Sequence, residues 1–229
     1  MRIFAENSVI VAYKAIIAGA SGLIGGELLK ILLQRPDYEH VVILVRKELP
    51  LKKDKKLTQL VIDFDRLEDY ENDINGHAIF SCLGSTRKKT PDMALYRKID
   101  RDYPLQLAQM AAKNGVEQFH LVSSLGADAS ASNFYTKMKG EIERDIKDAG
   151  LNCLHIYRPS FLTGDRKEER PLEGALNFLM KIIDPLLMGG LKKYRSIPAK
   201  TVAMAMYKES IINAKGIFIH PSDKIKQLA

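Results

Sequence analysis

The run Ala15-Ile16-Ile17-Ala18-Gly19-Ala20-Ser21-Gly22-Leu23-Ile24-Gly25-Gly26 limits what this chain can become. A short apolar segment enters three spaced glycines, Gly19, Gly22 and Gly25, and an amphipathic stretch over residues 27–34 follows at once. Strand, tight turn and helix in that order make an anion site, because a helix N-terminus presents unpaired N–H groups and a partial positive charge. Glycine lets the backbone bend sharply and approach a pyrophosphate with no Cβ in the way. An ordinary βα turn also uses glycine. Placement at the head of the chain, between an apolar strand and a helix, favours a dinucleotide site.

The rest of the chain repeats that rhythm. Apolar runs over residues 41–45, 60–62, 77–83, 118–122 and 151–157 read as strands. Residues 22–34, 91–114 and 133–148 read as helices, stopped by Arg35-Pro36, Gly115 and Gly150. Continuous apolar strands suit a parallel sheet covered on both faces. The expected fold is therefore α/β, a doubly wound parallel sheet of the Rossmann type. Residues 1–13 read as a lead-in, 14–158 as the nucleotide-binding core and 159–229 as a small elaboration packed on it, within a single domain. That elaboration contains an apolar helix over residues 172–188, a helix over 199–213 and a short strand over 216–219, and is expected to cover the cofactor site.

A chain of 229 residues buries a sizeable core. No apolar run is long enough to cross a membrane, and residues 1–14 lack the long apolar stretch of a secretory signal. Cys82 and Cys153 lie in apolar runs and read as free thiols in a reducing compartment. The expected location is cytoplasmic. The net charge of +7 raises the question of nucleic acid, but the lysines are scattered and clusters such as Lys52-Lys53-Asp54-Lys55-Lys56 contain acids, so a solvated surface is expected instead. Cysteine and histidine show no metal-ligand spacing, so no metal is expected. His120 and His155 lie within apolar strands and read as core residues, and Met204 and Met206 read as core filling.

Chemistry concentrates at the strand ends. The second strand ends in Arg46-Lys47, where a dinucleotide fold meets the adenosine ribose. Basic residues there suit the 2′-phosphate of NADP, where an acid would favour NAD. Asp63 closes the third strand, and two roles are open to it: acceptor for the adenine amino group, or helix N-cap. Leu83-Gly84 ends the fourth strand, beside the expected cofactor. Ser123 and Ser124 end the fifth, and either hydroxyl can bond a reacting oxygen. In Tyr135-Thr136-Lys137-Met138-Lys139, Tyr135 and Lys139 stand four apart and share a helix face. A free tyrosine has a pKa near ~10. A nearby ammonium favours the phenolate, so such a pair can exchange a proton with a carbonyl or alcohol oxygen as hydride moves.

Taken together, Gly19-x-x-Gly22-x-x-Gly25, Ser123-Ser124 and Tyr135-x-x-x-Lys139 resemble the short-chain dehydrogenase/reductase superfamily. More narrowly, the chain is similar to its atypical HIV-Tat-interacting-protein oxidoreductase-like branch. That likeness is carried by Cys82-Leu83-Gly84-Ser85-Thr86-Arg87, Asp100-Arg101-Asp102-Tyr103, Ser123 to Asp128, Lys139-Gly140-Glu141, Arg158-Pro159, Asp165-Arg166 and Glu169-Arg170-Pro171. The resemblance implies NADPH held by Ser21, Gly22, Leu23 and Ile24, with Arg46 and Lys47 at the adenosine phosphate. It implies Leu83, Gly84, Tyr135, Lys139 and Leu162 along the nicotinamide half, and Arg170 closing over the cofactor. Tyr135 becomes the proton donor, and Lys139 also bonds the nicotinamide ribose. Two positions depart from the pattern: Asp100 or a neighbour stands where many relatives carry Asn, which puts an Asn-containing proton relay in doubt, and Ser160 stands where relatives often carry glycine.

The functional expectation is an NADP(H)-dependent oxidoreductase acting on a small carbonyl or alcohol. The alternative is an NADPH-binding regulatory or redox-sensing protein that acts through a protein partner. The intact Tyr–Lys pair favours the enzyme. Nucleic-acid binding and membrane insertion are not expected.

Overall fold

The computed structural model describes residues 12–164, 184 and 187–229. Its elements run β1 (Tyr13–Ala18), α1 (Leu23–Gln34), β2 (Tyr38–Val45), β3 (Leu57–Val61), β4 (Ala78–Ser81), α2 (Met93–Arg97), α3 (Tyr103–Lys113), β5 (Gln118–Val122), α4 (Phe134–Lys147), β6 (Cys153–Arg158), β7 (Leu162–Thr163), β8 (Ile197–Pro198), α5 (Ala199–Ser210), β9 (Gly216–Pro221) and α6 (Ser222–Leu228). Seven strands form one sheet in the order β3-β2-β1-β4-β5-β6-β9, every neighbour parallel. β7 and β8 make a separate two-stranded pair.

The centre of the sheet shows why the strands read as continuous apolar runs. Ala15, Ile16, Ile17 and Ala18 of β1 are all fully buried. Ala15 and Ile17 face one layer, built on α1, α5 and α6. Ile16 and Ala18 face the other, built on α3 and α4. A strand buried on both faces has no solvent side to alternate toward. α1 sends Ile24, Leu28, Leu29, Ile31 and Leu32 into the first layer. There they meet Val202, Ala203 and Met206 of α5. Each such large side chain contributes about 1.5–3 kcal/mol by leaving water. The strand order reverses between β1 and β4, the topological switch point at which Rossmann sheets open a ligand crevice.

Two boundaries differ from those expected. The helix anticipated over residues 91–114 is broken: α2 and α3 are joined by a π-helical turn, Lys98–Asp102. β3 closes at Val61, so Asp63 lies beyond it as the N-cap of the 3-10 segment Phe64–Asp73. The described residues after Pro159 also build the scaffold. β9 adds the seventh strand to the sheet and α5 covers α1. The segment after β7 reaches the glycine turn, where a Cβ on Gly164 would stand 2.8 Å from Leu23 Cδ2. The helix expected over residues 172–188 falls almost wholly outside the described residues.

Candidate active site

The glycine turn is shaped by close approach. Gly19 has φ +91°, and a Cβ there would lie 2.5 Å from the carbonyl oxygen of Cys82. A Cβ on Gly25 would lie 2.3 Å from the carbonyl oxygen of Gly19. Both collisions are with backbone, so neither can be relieved by moving a side chain. The Gly22 N–H donates to Gly19 O at 2.9 Å and closes the turn. Gly22 then serves as the N-cap of α1 with no side-chain cap, and the first turn carries no acidic residue. The first-turn N–H groups and the positive end of the dipole therefore face the crevice, and a dinucleotide phosphate fits this cradle. Ser21 is exposed on its rim.

At the end of β2 lie two of the anticipated site residues. Arg46 and Lys47 are exposed just beyond it and form no ion pair among the described residues. Tyr103 lies nearby, and its hydroxyl donates to Asp65 Oδ1 at 2.8 Å. Burial pushes the Tyr103 pKa up to about 12; Asp65 and Asp63 add to the shift and Arg46 opposes it. Asp63 accepts the Asp65 N–H at 2.9 Å, the N-cap role of the two open to it.

The other end gathers around a buried ion pair. Lys139 Nζ lies 2.9 Å from Asp100 Oδ1, with side chains 5% and 2% exposed. Asp100 occupies the π-helical turn, where the extra residue per turn re-aims a side chain. Its second oxygen accepts the Ser85 N–H at 2.7 Å, and Gly84 packs against it. The exit of β4 is thereby tied to α4. Burial alone lowers the Lys139 pKa, but attraction to Asp100 and then to Tyr135 outweighs it, and the pKa is raised above its ordinary value. The ammonium sits 6.0 Å from the centroid of the Tyr135 ring, one helical turn away. Tyr135 is 36% exposed. Buried Tyr96 lies close by, its pKa pushed up to about 12 by burial and the charge of Asp100.

Local chemistry fixes where α4 begins. Asn133 caps it, accepting the Tyr135 and Thr136 N–H groups at 2.9 and 3.3 Å. Gly140 lets the loop after β5 press onto the helix: a Cβ there would stand 2.0 Å from Ala129 N and 2.1 Å from Asp128 C. The two serines part company. Buried Ser123 donates to Glu143, whose two carboxylate oxygens both accept from the Arg158 guanidinium, Nε lying 2.9 Å from Oε1. Ser124 lies half-buried one residue further on, its hydroxyl making among the described residues only a 3.3 Å contact to Leu125 O.

Residues 19–179 match the family described as NAD(P)H-binding. This chain belongs to that family. Within it, the chain is 35% identical to Protein HTATIP2 of Rattus norvegicus, over 87% of this chain and 82% of that protein. It is 31% identical to "Protein FMP52, mitochondrial" of Coccidioides immitis, over 93% of this chain and 92% of the relative. The Saccharomyces cerevisiae protein of the same name is 35% identical over 68% of each chain. These relatives are atypical short-chain dehydrogenase/reductase-like proteins, in keeping with the motifs. Solved structures share the fold: WbmH of Bordetella bronchiseptica in complex with NAD+ superposes with a TM-score of 0.70 at 18% identity, over 92% of this chain and 76% of that one. A UDP-N-acetylglucosamine 4-epimerase from Methanobrevibacter ruminantium gives 0.69 at 17% identity, with the same coverage.

One expectation is corrected by these relatives. A cytoplasmic location was inferred from free thiols and the lack of a secretory signal, yet the fungal members carry "mitochondrial" in their names. Reduced cysteines do not separate the two compartments. No described helix is long and apolar enough to cross a membrane.

Of the remaining anticipated site residues, Leu83 packs against the α3/α4 layer and Leu162 against the α1/α5 layer. Arg170 lies outside the described residues. Ser160 bonds the carbonyl of Arg195 and lies 2.8 Å from Ser222 Oγ, so it ties the loop after β6 to the start of α6. Sequence reasoning missed the Asp100–Lys139 pair as a unit and the Ser123–Glu143–Arg158 cluster. A signal for the first was present, since a lysine on a helix face turned toward the core needs a counter-charge.

Proposed function

We propose that this protein is an NADP(H)-dependent oxidoreductase of the atypical short-chain dehydrogenase/reductase type, acting on a small carbonyl or alcohol through Ser124, Tyr135 and Lys139. The observation that carries the reading is the buried Lys139 ammonium, held charged by Asp100 one turn from a half-open Tyr135. A structural ion pair alone would give no reason for a tyrosine to stand beside it at the mouth of a dinucleotide crevice.

The nicotinamide, when bound, supplies or accepts the hydride. Tyr135 donates its phenolic proton to the carbonyl oxygen, and a fixed ammonium beside it favours the phenolate left behind. Water at the exposed side of Tyr135 returns the proton. Ser124 donates a hydrogen bond to the same oxygen and orients it. Lys139 spends one of its three donors on Asp100 and keeps others for the nicotinamide ribose. Arg46 and Lys47 pair with the 2′-phosphate, and Gly19, Gly22, Leu23, Ile24 and Gly25 present backbone to the pyrophosphate.

The test is Tyr135→Phe. It loses about 10²–10⁴-fold in NADPH-dependent carbonyl reduction, the usual worth of a positioned general acid. NADPH still raises its melting temperature as it does for the wild type. Retained turnover would remove Tyr135 from the chemistry.

A further inference from the structure

Away from the crevice, across the sheet from α4, three ligating side chains meet that the proposed reaction does not use. His155 on β6, His220 on β9 and Glu209 in the last turn of α5 converge at the sheet edge. His155 Nδ1 lies 3.0 Å from His220 Nε2 and 3.6 Å from Glu209 Oε2, and His220 Nε2 lies 3.9 Å from that same oxygen. A point equidistant from the three atoms lies about 2.1 Å from each, within the ~2.0–2.2 Å of Zn–N and Zn–O bonds.

The surroundings suit a cation. Both imidazoles are buried, which disfavours a charged ring and leaves each a lone pair to give. The outer nitrogen of His155, Nε2, lies 3.2 Å from Cys153 Sγ. In the tautomer with the proton on Nε2, Nδ1 is bare toward the cluster, the usual outer-shell arrangement of a ligating histidine. Ring stacking clamps the same imidazole between His120 and Phe218, at 4.7 and 4.9 Å between centroids. Glu209 is 13% exposed and its carboxylate makes no hydrogen bond among the described residues. Lys224 lends this carboxylate favourable charge but makes no ion pair with it among the described residues, so a divalent cation between the carboxylate and the two rings would be its direct partner. Coordination of His220 through Nε2 moves its proton to Nδ1, an atom with no partner among the described residues in either tautomer.

We propose that His155, His220 and Glu209 bind one divalent cation of the zinc type, with water in the remaining position. The ion fastens β9 and the end of α5 to β6. β9 has need of a fastener: among the described residues it is an edge strand paired only with β6, and it leaves Ile217 and Ile219 50% and 40% exposed on its other face. Two histidines and a carboxylate match the borderline-soft first-row ions rather than magnesium or calcium.

The experiment uses tag-free, chelator-stripped protein, titrated with Zn²⁺ against a chromophoric chelator and melted with and without the metal. The wild type is expected to take up one equivalent and to melt higher with zinc. Glu209→Gln, at a partly exposed helix end, keeps the fold and loses both the stoichiometric uptake and the shift. His220→Asn loses them too; should it fail to fold, Glu209→Gln decides alone. Cys153→Ser retains binding. No stoichiometric uptake by the wild type, undiminished uptake by Glu209→Gln, or loss confined to Cys153→Ser would each overturn the proposal.

Discussion

Replacing Lys139 by Met tests the buried pair most directly. The substitution keeps the length of the side chain and strands Asp100, 1% exposed, without its cation. Breaking a buried pair by removing one partner costs about 3–5 kcal/mol, most of it the unpaired charge left behind. In a chain of this size each kcal/mol moves the melting temperature by roughly 2–4 °C, so the expected fall is about 6–20 °C. Asp100→Asn added to Lys139→Met removes the stranded charge, and the amide oxygen still accepts the Ser85 N–H. The double variant is therefore more stable than Lys139→Met alone, with a coupling of about 2 kcal/mol or more. Urea unfolding and dye-monitored melting of cofactor-free protein measure this; the chain has no tryptophan for intrinsic fluorescence. The Lys139 pKa is raised in the folded state. Its stabilisation is fully present below the unfolded value, about 10.4, and is lost as pH rises through the folded value. The gap between wild type and Lys139→Met narrows at strongly alkaline pH. Strictly additive losses in the double variant, or a gap that widens with alkali, would refute the buried-pair reasoning.

The other predictions separate binding, chemistry and scaffold. Ser124→Ala lowers kcat with little effect on melting, whereas Ser123→Ala leaves chemistry nearly intact and costs about 1–2 kcal/mol through the bond lost to Glu143; steady-state kinetics and melting curves together read both. Arg46→Ala with Lys47→Ala weakens NADPH by about 10–100-fold and leaves NADH unchanged, measured as nucleotide-dependent melting shifts or by calorimetry. Gly140→Ala forces a Cβ into the backbone of Asp128 and Ala129, so it destabilises by more than 1–3 kcal/mol and displaces Lys139, seen as a lower melting temperature and lost turnover.

The strands were legible because burial on both faces leaves a signature any sequence shows, an unbroken apolar run such as Val41 to Val45. The glycine turn was legible because Gly19 and Gly25 meet backbone that no Cβ can share. The break in the helix after β4 was not. A π-helical turn has the composition of the helix around it, and Asp100 enters the core only because that turn rotates it inward. The division between Ser123 and Ser124 depends on Glu143 and Arg158, which reach the strand end from α4 and β6. The convergence of His155, Glu209 and His220 depends on β9 pairing with β6, a long-range choice that no local spacing encodes. Residues whose role is set by their own backbone could be read, while those set by a partner far along the chain needed the fold.

Asp100 shows how such a partner changes a mechanism. An amide at this position would leave Lys139 buried and unpaired, and burial would drive its pKa down toward a neutral amine. A carboxylate reverses that balance, and it does so while its second oxygen holds the backbone at Ser85. One side chain thus fixes the charge beside Tyr135 and the position of the β4 exit that borders the crevice. Through Asp100, the charge on Lys139 and the shape of the crevice wall stand or fall together. Asp100→Asn alone should lower catalysis more than Ser85 substitutions that keep the N–H, because only the former removes the charge. Equal losses from Asp100→Asn and Ser85→Ala would mean that the wall, and not the charge, is what Asp100 contributes.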